Sequence, residues 1–138
     1  MNLEVNNTRI RVGRIIYFAL AIIFTLCIIA QVFFAGMAIF LNPGAWMKHM
    51  IFVHLFGFNV PVLMFIFAVV GAMPRWAYWQ LFGVLVSIFF MYYTANIKVM
   101  LPWAGALHPV IGILLFVLSY SIVLKSWHLI MKKPERED

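Results

Sequence analysis

The chain has 138 residues, of which 66% are hydrophobic and only 10% are charged, and its formal net charge is +6. This composition lies far outside the range of soluble domains and indicates one domain whose surface faces lipid rather than water. The basic residues stand at the ends of apolar runs rather than along one face, so lipid headgroups explain the charge and nucleic acid is excluded as a partner.

The apolar residues form four runs, each longer than the ~20 residues that a helix needs to cross a ~30 Å hydrocarbon core. The predicted spans cover about 15–41, 46–72, 76–100 and 104–131. Asn59 and Pro61 predict a bend in the second span, with a partner for the freed carbonyl. None of the runs alternates like a barrel strand. With short connections, the sequence predicts an all-α membrane protein, a four-transmembrane up-down-up-down helix bundle.

The basic residues are divided unequally between the two ends of these spans. One end has only Lys48 and Lys98, whereas the other carries Arg9, Arg11, Arg14, Arg75, Lys125, Lys132, Lys133 and Arg136. By the positive-inside rule, both termini are expected to be cytoplasmic, in a bacterial inner membrane. The charged tail Met131–Asp138 is expected to fray.

Acidic residues are absent between Arg9 and Lys133. This absence excludes a carboxylate pair for acid–base catalysis, a carboxylate-bridged di-metal site and an acidic proton relay. The single cysteine, Cys27, excludes an internal disulfide and a thiolate metal cage. No nucleophile–base set is recognisable, so histidines, amides and tyrosines are the candidates for function.

Two histidines have comparable predicted depths in the membrane. His54 is about 12 Å along its helix from Trp46, and His108 is about 7 Å from Trp103, both toward the outer face. Their spans, the second and the fourth, lie diagonally opposite each other in a simple bundle. Two opposed imidazoles are the axial ligands of six-coordinate haem. The sequence therefore predicts one haem b, with its iron bound by His54 and His108.

Neighbouring residues support this prediction. Gly57 and Gly112 share a face with the two histidines, which would leave room for a flat macrocycle. Lys98, with Lys48, is expected to pair with the haem propionates, and His49 is expected at the rim, where it would assist.

Two further polar groups have two interpretations each, and a fourth histidine is set apart by its position. Gln31, near mid-membrane, would bond a cofactor or quinone, or make an interhelical amide contact. Tyr93, with Tyr92 and Asn96, would line the same cavity or bond helix to helix. His128 lies some 30 Å from His108 along the same helix and is excluded from the site.

The placement of His54 and His108 resembles one half of haem A synthase, whose two four-helix halves carry a histidine near the outer ends of their second and fourth helices. The acidic residues and the cysteine pair of that enzyme's outer segment have no counterpart here, so its oxygenation chemistry is not carried over. The chain also resembles a family of small four-span bacterial proteins of unknown function. That resemblance rests on Gln31–Val32–Phe33–Phe34–Ala35–Gly36, Trp46, His54 and Ala106–Leu107–His108–Pro109.

The predicted function is that of a bis-histidine b-type cytochrome for electron transfer or for haem sensing or handling. Its partners would be a quinone, a redox protein or further copies of the chain. The alternative is a non-redox accessory or assembly subunit of a larger complex, with structural histidines. A transporter or channel is disfavoured, because matched mid-membrane helix breaks and acidic residues are missing.

Overall fold

The computed structural model describes residues 2–131, and side chains from residue 4 onward. Within these residues no strand occurs, and the helices are α1 Asn2–Phe40, α2 Ala45–Phe56, α3 Asn59–Val70, α4 Arg75–Ile97 and α5 Pro102–Met131. In the described part, four helical stretches are long and apolar enough to cross a membrane, namely Glu4–Phe40, Ala45–Val70, Arg75–Ile97 and Pro102–Met131. The all-α fold, with four stretches long and apolar enough to span a membrane, is confirmed. The tail 132–138, predicted to fray, lies outside the described residues.

Helix α1 begins well before the predicted apolar span. It starts at Asn2 because no glycine or proline interrupts residues 2–12. At its other end, the turn after Phe40 is closed by the side chain of Asn42, whose Oδ1 accepts a hydrogen bond from the Gly44 N–H at 2.8 Å. The helix therefore projects its polar first turns beyond the apolar stretch.

The second span is broken between Phe56 and Asn59, at the bend that the sequence predicts. Pro61 has no N–H to donate to the carbonyl four residues earlier, so the helical ladder is interrupted there. The Asn59 side chain donates from Nδ2 to a different carbonyl, that of Leu55, at 2.7 Å. As a result α2 and α3 are separate helices joined at Gly57 and Phe58.

The packing of the helices is uneven. Helix α1 packs against α2, α3 and α5, and α4 packs against α5 and α3. Among the described residues, no Cα atom of α2 comes within 8 Å of one in α4 or α5. The fully buried side chains of the core are mainly apolar and include Tyr17, Phe24, Met64, Leu81, Val84 and Ile122. Helix α3 therefore packs between α1 and α4, whereas, within the residues described, the backbone of α2 approaches only α1 and α3.

We call the end of the bundle that is defined by Gly13, Arg14, Tyr17, Gly71 and Ala72 the arginine end. There the backbones of α1 and α3 touch: a Cβ atom added at Gly13 would lie 2.5 Å from the Gly71 nitrogen. Arg14 donates from Nε to the Gly71 carbonyl at 3.0 Å and from Nη2 to the Ala72 carbonyl at 3.4 Å. It therefore satisfies carbonyls that the end of α3 leaves without helical partners.

Candidate functional site

At the other end of the bundle, His49 of α2 and His108 of α5 face each other. Their ring centres are 6.4 Å apart and the rings are tilted by 54°. Both side chains are partly buried. The Cα atoms of α2 and α5 stay more than 8 Å apart, so these two helices meet here through their histidine side chains. We call the end defined by His49, His54, Tyr92 and His108 the histidine end.

Each of these two rings is anchored through Nδ1 to a backbone carbonyl on a neighbouring helix. His49 Nδ1 lies 3.0 Å from the Gln31 oxygen, and His108 Nδ1 lies 3.0 Å from the Met91 oxygen. A carbonyl only accepts, so Nδ1 carries a proton in each ring, which leaves Nε2 as the nitrogen that the backbone does not hold. This is how proteins orient histidines that ligate metals, with one nitrogen held by the protein and the other available.

The side chain of Gln31 also binds the backbone of His49. Its Nε2 donates to the His49 carbonyl at 2.8 Å, so the two residues exchange hydrogen bonds between α1 and α2. The interhelical amide contact predicted for Gln31 is therefore present. The side chain is only 7% exposed, and its Oε1 has no partner among the described residues. A buried acceptor of this kind usually takes a hydrogen bond from a water molecule or a ligand.

His54, predicted as one of the two iron ligands, has a different neighbour. Its Nδ1 lies 3.1 Å from the Tyr92 hydroxyl, and the two rings stack with centres 5.4 Å apart. The structure thus brings His108 ring to ring with His49, which the sequence assigns to the rim. Counted from the helix starts at Ala45 and Pro102, His49 and His108 are four and six residues in, whereas His54 is nine residues in. Counted from Trp46 and Trp103, the same three histidines are three, five and eight residues in, so His49 is the closer match to His108 in depth by that measure too.

The glycines beside the two predicted ligands have different close neighbours. A Cβ atom at Gly57 would lie 2.6 Å from the Val53 carbonyl oxygen in the preceding turn and 3.7 Å from the Tyr92 hydroxyl oxygen, whereas one at Gly112 would lie 3.6 Å from Met91 Cε. Gly112 therefore provides room for an α4 side chain, and Gly57 chiefly avoids a clash with its own preceding turn. Their predicted role beside a macrocycle stays a prediction.

The remaining predicted residues are divided between the site and the surface. Lys98, the residue after α4, and Lys48 are both exposed, and Lys98 is the one whose charge lies close enough to influence His108. Tyr93 is 49% exposed and stacks on Phe89, with ring centres 6.4 Å apart, on the exposed side of α4.

Two contacts of His108 were missed from the sequence. The Thr94 hydroxyl lies 3.3 Å from His108 Nδ1, beside the Met91 carbonyl. A backbone carbonyl leaves no signal in a sequence. Pro109, the residue after His108, lies inside the continuous helix α5.

The donor atoms at this site set limits on what it can bind. Within residues 2–131, no group of three or more histidine, cysteine or acidic side chains could hold a metal ion. A site with two imidazoles therefore suits a metal that brings other ligands with it. Haem is such a group, because the porphyrin supplies four nitrogens and leaves two axial positions for the protein.

Comparisons with known proteins agree with one of the two resemblances. Residues 31–97 match the model of a family of unknown function, DUF6220. No curated protein and no solved structure matches the chain, so the resemblance to haem A synthase stays a prediction. The matched region includes Gln31, His49, His54 and Tyr92 and ends before His108. From the end of α1 to the end of α4, the chain is similar to the DUF6220 family of unknown function.

Proposed function

We propose that this protein is a membrane-embedded b-type haem protein whose axial ligands are His49 and His108. The observation that carries the proposal is the pair of imidazoles, each held at Nδ1 by a carbonyl and facing the other across a gap. Because the ring centres are only 6.4 Å apart, both imidazoles could hold one bound group.

Several residues would support the cofactor. The carbonyls of Gln31 and Met91 orient the two rings, and Lys98 supplies a positive charge near His108 that suits a propionate. A bound haem would lie between α2 and the α4–α5 pair, where His49 and His108 come together. When bound, a haem iron with two imidazole ligands carries single electrons between its ferric and ferrous states.

The proposed setting is a bacterial inner membrane, with the four spans running up-down-up-down and both termini in the cytoplasm. The charge distribution supports this orientation, because eight of the ten basic residues cluster at the ends expected to be cytoplasmic. The histidine end then lies toward the outer face. One haem near one face would need a quinone, a partner protein or a second copy of the chain to complete an electron-transfer path.

A reduced-minus-oxidised absorption spectrum of the purified protein tests the proposal. We expect a b-type spectrum that His49→Gln and His108→Gln each abolish. His128→Gln, an exposed histidine at the far end of α5, is the matched control and should leave the spectrum unchanged. A folded wild-type protein that binds no haem would refute the proposal. Loss in His54→Gln together with retention in His49→Gln would restore the pair predicted from the sequence.

A second candidate function has its own supporting observation. The reciprocal hydrogen bonds between Gln31 and His49 tie α1 to α2 without any cofactor, as expected of an accessory or assembly subunit whose histidines are structural. Such a subunit would co-purify with a larger complex and would be colourless. In that case His49→Gln would lower thermal stability while changing no spectrum.

A further inference from the structure

A second polar pair at the histidine end lies apart from the His49–His108 contact. His54 of α2 and Tyr92 of α4 meet through a hydrogen bond of 3.1 Å and a ring stack at 5.4 Å. Among the described residues, the Cα atoms of these two helices never come within 8 Å of each other. Helices α2 and α4 therefore meet at this point through the side chains of His54 and Tyr92, not through their backbones.

His54 is exposed on the surface that faces lipid. Its neighbours in the chain are strongly exposed apolar side chains, with Leu55 at 67% and Phe58 at 55%. An ionisable group at membrane depth is costly and commonly marks a functional site. His54 is nine residues into α2, or about 13 Å along the helix from Ala45, which is too deep for lipid headgroups to reach easily.

The hydrogen-bonding capacity of the pair is only partly used. Tyr92 engages Nδ1 of His54, and among the described residues this is the hydrogen bond that the His54 ring makes. The second ring nitrogen, Nε2, remains available to a molecule arriving through the lipid. That molecule must be apolar enough to dissolve in the bilayer and must carry an oxygen that bonds to an imidazole.

We infer that His54 and Tyr92 bind the head group of a lipid-soluble quinone. An imidazole and a phenol can each donate or accept a hydrogen bond, so the pair suits both the carbonyl oxygens of the quinone and the hydroxyls of the quinol. The stacked rings offer a flat aromatic surface to a flat ligand. No fixed charge is needed, in keeping with a lipid-facing position.

The two sites are adjacent along α4. Tyr92 directly follows Met91, whose carbonyl holds His108, so a single peptide group joins the residue at the proposed quinone site to the anchor of the proposed haem ligand. The inference deepens the proposed function by naming the class of its small-molecule partner. Any redox use of the contact rests on that proposed function, whereas binding of the quinone does not.

The test is a binding titration on the full-length protein in lipid nanodiscs, with decylubiquinone as the probe and tryptophan fluorescence as the readout. Wild type should bind saturably, and His54→Leu and Tyr92→Phe should each weaken binding about tenfold, the effect of losing one hydrogen bond. His128→Leu, an exposed histidine at the other end of the bundle, should bind like wild type. Circular dichroism establishes that each variant is folded.

Two outcomes would overturn the inference. One is unchanged affinity in folded His54→Leu. The other is a His54→Cys variant that cross-links readily to a second copy of the chain, because His54 would then lie in an interface. His49→Gln separates the two proposals: it should lose the haem spectrum and still bind the quinone. A wild-type protein without haem that binds the quinone would refute only the haem proposal.

Discussion

At the arginine end α1 and α3 meet backbone to backbone, whereas at the histidine end α2 approaches neither α4 nor α5 within 8 Å between Cα atoms in the described chain. Tyr17 is fully buried at the first end, and His54 is exposed at the second. Close packing of small residues is a common source of helix association in membranes, since lipid is as apolar as leucine. The contrast indicates that backbone packing joins the helices at the arginine end, whereas at the histidine end α2 meets α4 and α5 through side chains.

The largest effect on stability is expected from filling the glycine contact. Gly13→Ala would place its Cβ 2.5 Å from the Gly71 nitrogen, and the opposing backbone cannot move aside cheaply. We expect a loss of about 2–3 kcal/mol, measured by unfolding in detergent. Gly36→Ala is the matched control on the same helix, because its Cβ would meet nothing within 4 Å. Equal stability of the two variants would mean that the close contact between α1 and α3 does not hold the bundle together.

Removing the Arg14 side chain is expected to have the next largest effect. Arg14→Ala leaves the Gly71 and Ala72 carbonyls without their charged donor, and we expect a loss of about 1.5–3 kcal/mol. Arg11→Ala removes an exposed arginine of the same helix and should change the unfolding free energy by less than about 0.5 kcal/mol. A large effect in both variants would point to headgroup contacts instead.

A smaller effect is expected at the histidine end. Gln31→Leu keeps much of the buried volume and removes the bond to the His49 carbonyl, for a loss of about 1 kcal/mol. The same variant should shift the midpoint potential of the haem, because the position of His49 is less restrained. Asn96→Leu, which changes an exposed amide on α4, is the control. An unchanged potential in a protein that retains its haem would argue against His49 as a ligand.

The smallest predicted effect has the opposite sign. The Tyr17 hydroxyl is buried and has no partner among the described residues, so Tyr17→Phe should stabilise the protein by up to about 1 kcal/mol. Thermal unfolding would detect this as a higher midpoint. A lower midpoint would instead reveal a buried water molecule bonded to the hydroxyl.

The sequence predicted best those features of the fold that depend on local residue patterns and not on long-range contacts. Apolar run lengths predicted four spans, and Asn59 with Pro61 predicted the break in the second span. The ring-to-ring contact of His108 was not predictable in the same way. It depends on how α2 and α5 are placed relative to each other and on hydrogen bonds to the backbone carbonyls of Gln31 and Met91. Every residue has a backbone carbonyl, so the sequence does not show which ones are used.

The glycines illustrate the same limit. Gly57 and Gly112 share faces with histidines, as predicted, yet the structure places the preceding turn of α2 against Gly57 and an α4 side chain against Gly112. The tightest contact in the bundle joins Gly13 to Gly71, which lie at the ends of two different spans. Nothing local in the sequence distinguishes this pair from the other six glycines.

The break between Phe56 and Asn59 has a mechanical consequence. Helix α2 has 12 residues and so is a rod of about 18 Å, attached at one end to a two-residue joint and lying against α1. A tilt of about 10° at that joint would move the far end of the rod by roughly 3 Å, without displacing α3 from its contact with α1. Because two hydrogen bonds join Gln31 of α1 to His49 of α2, such a tilt would have to break them or carry the end of α1 along with it.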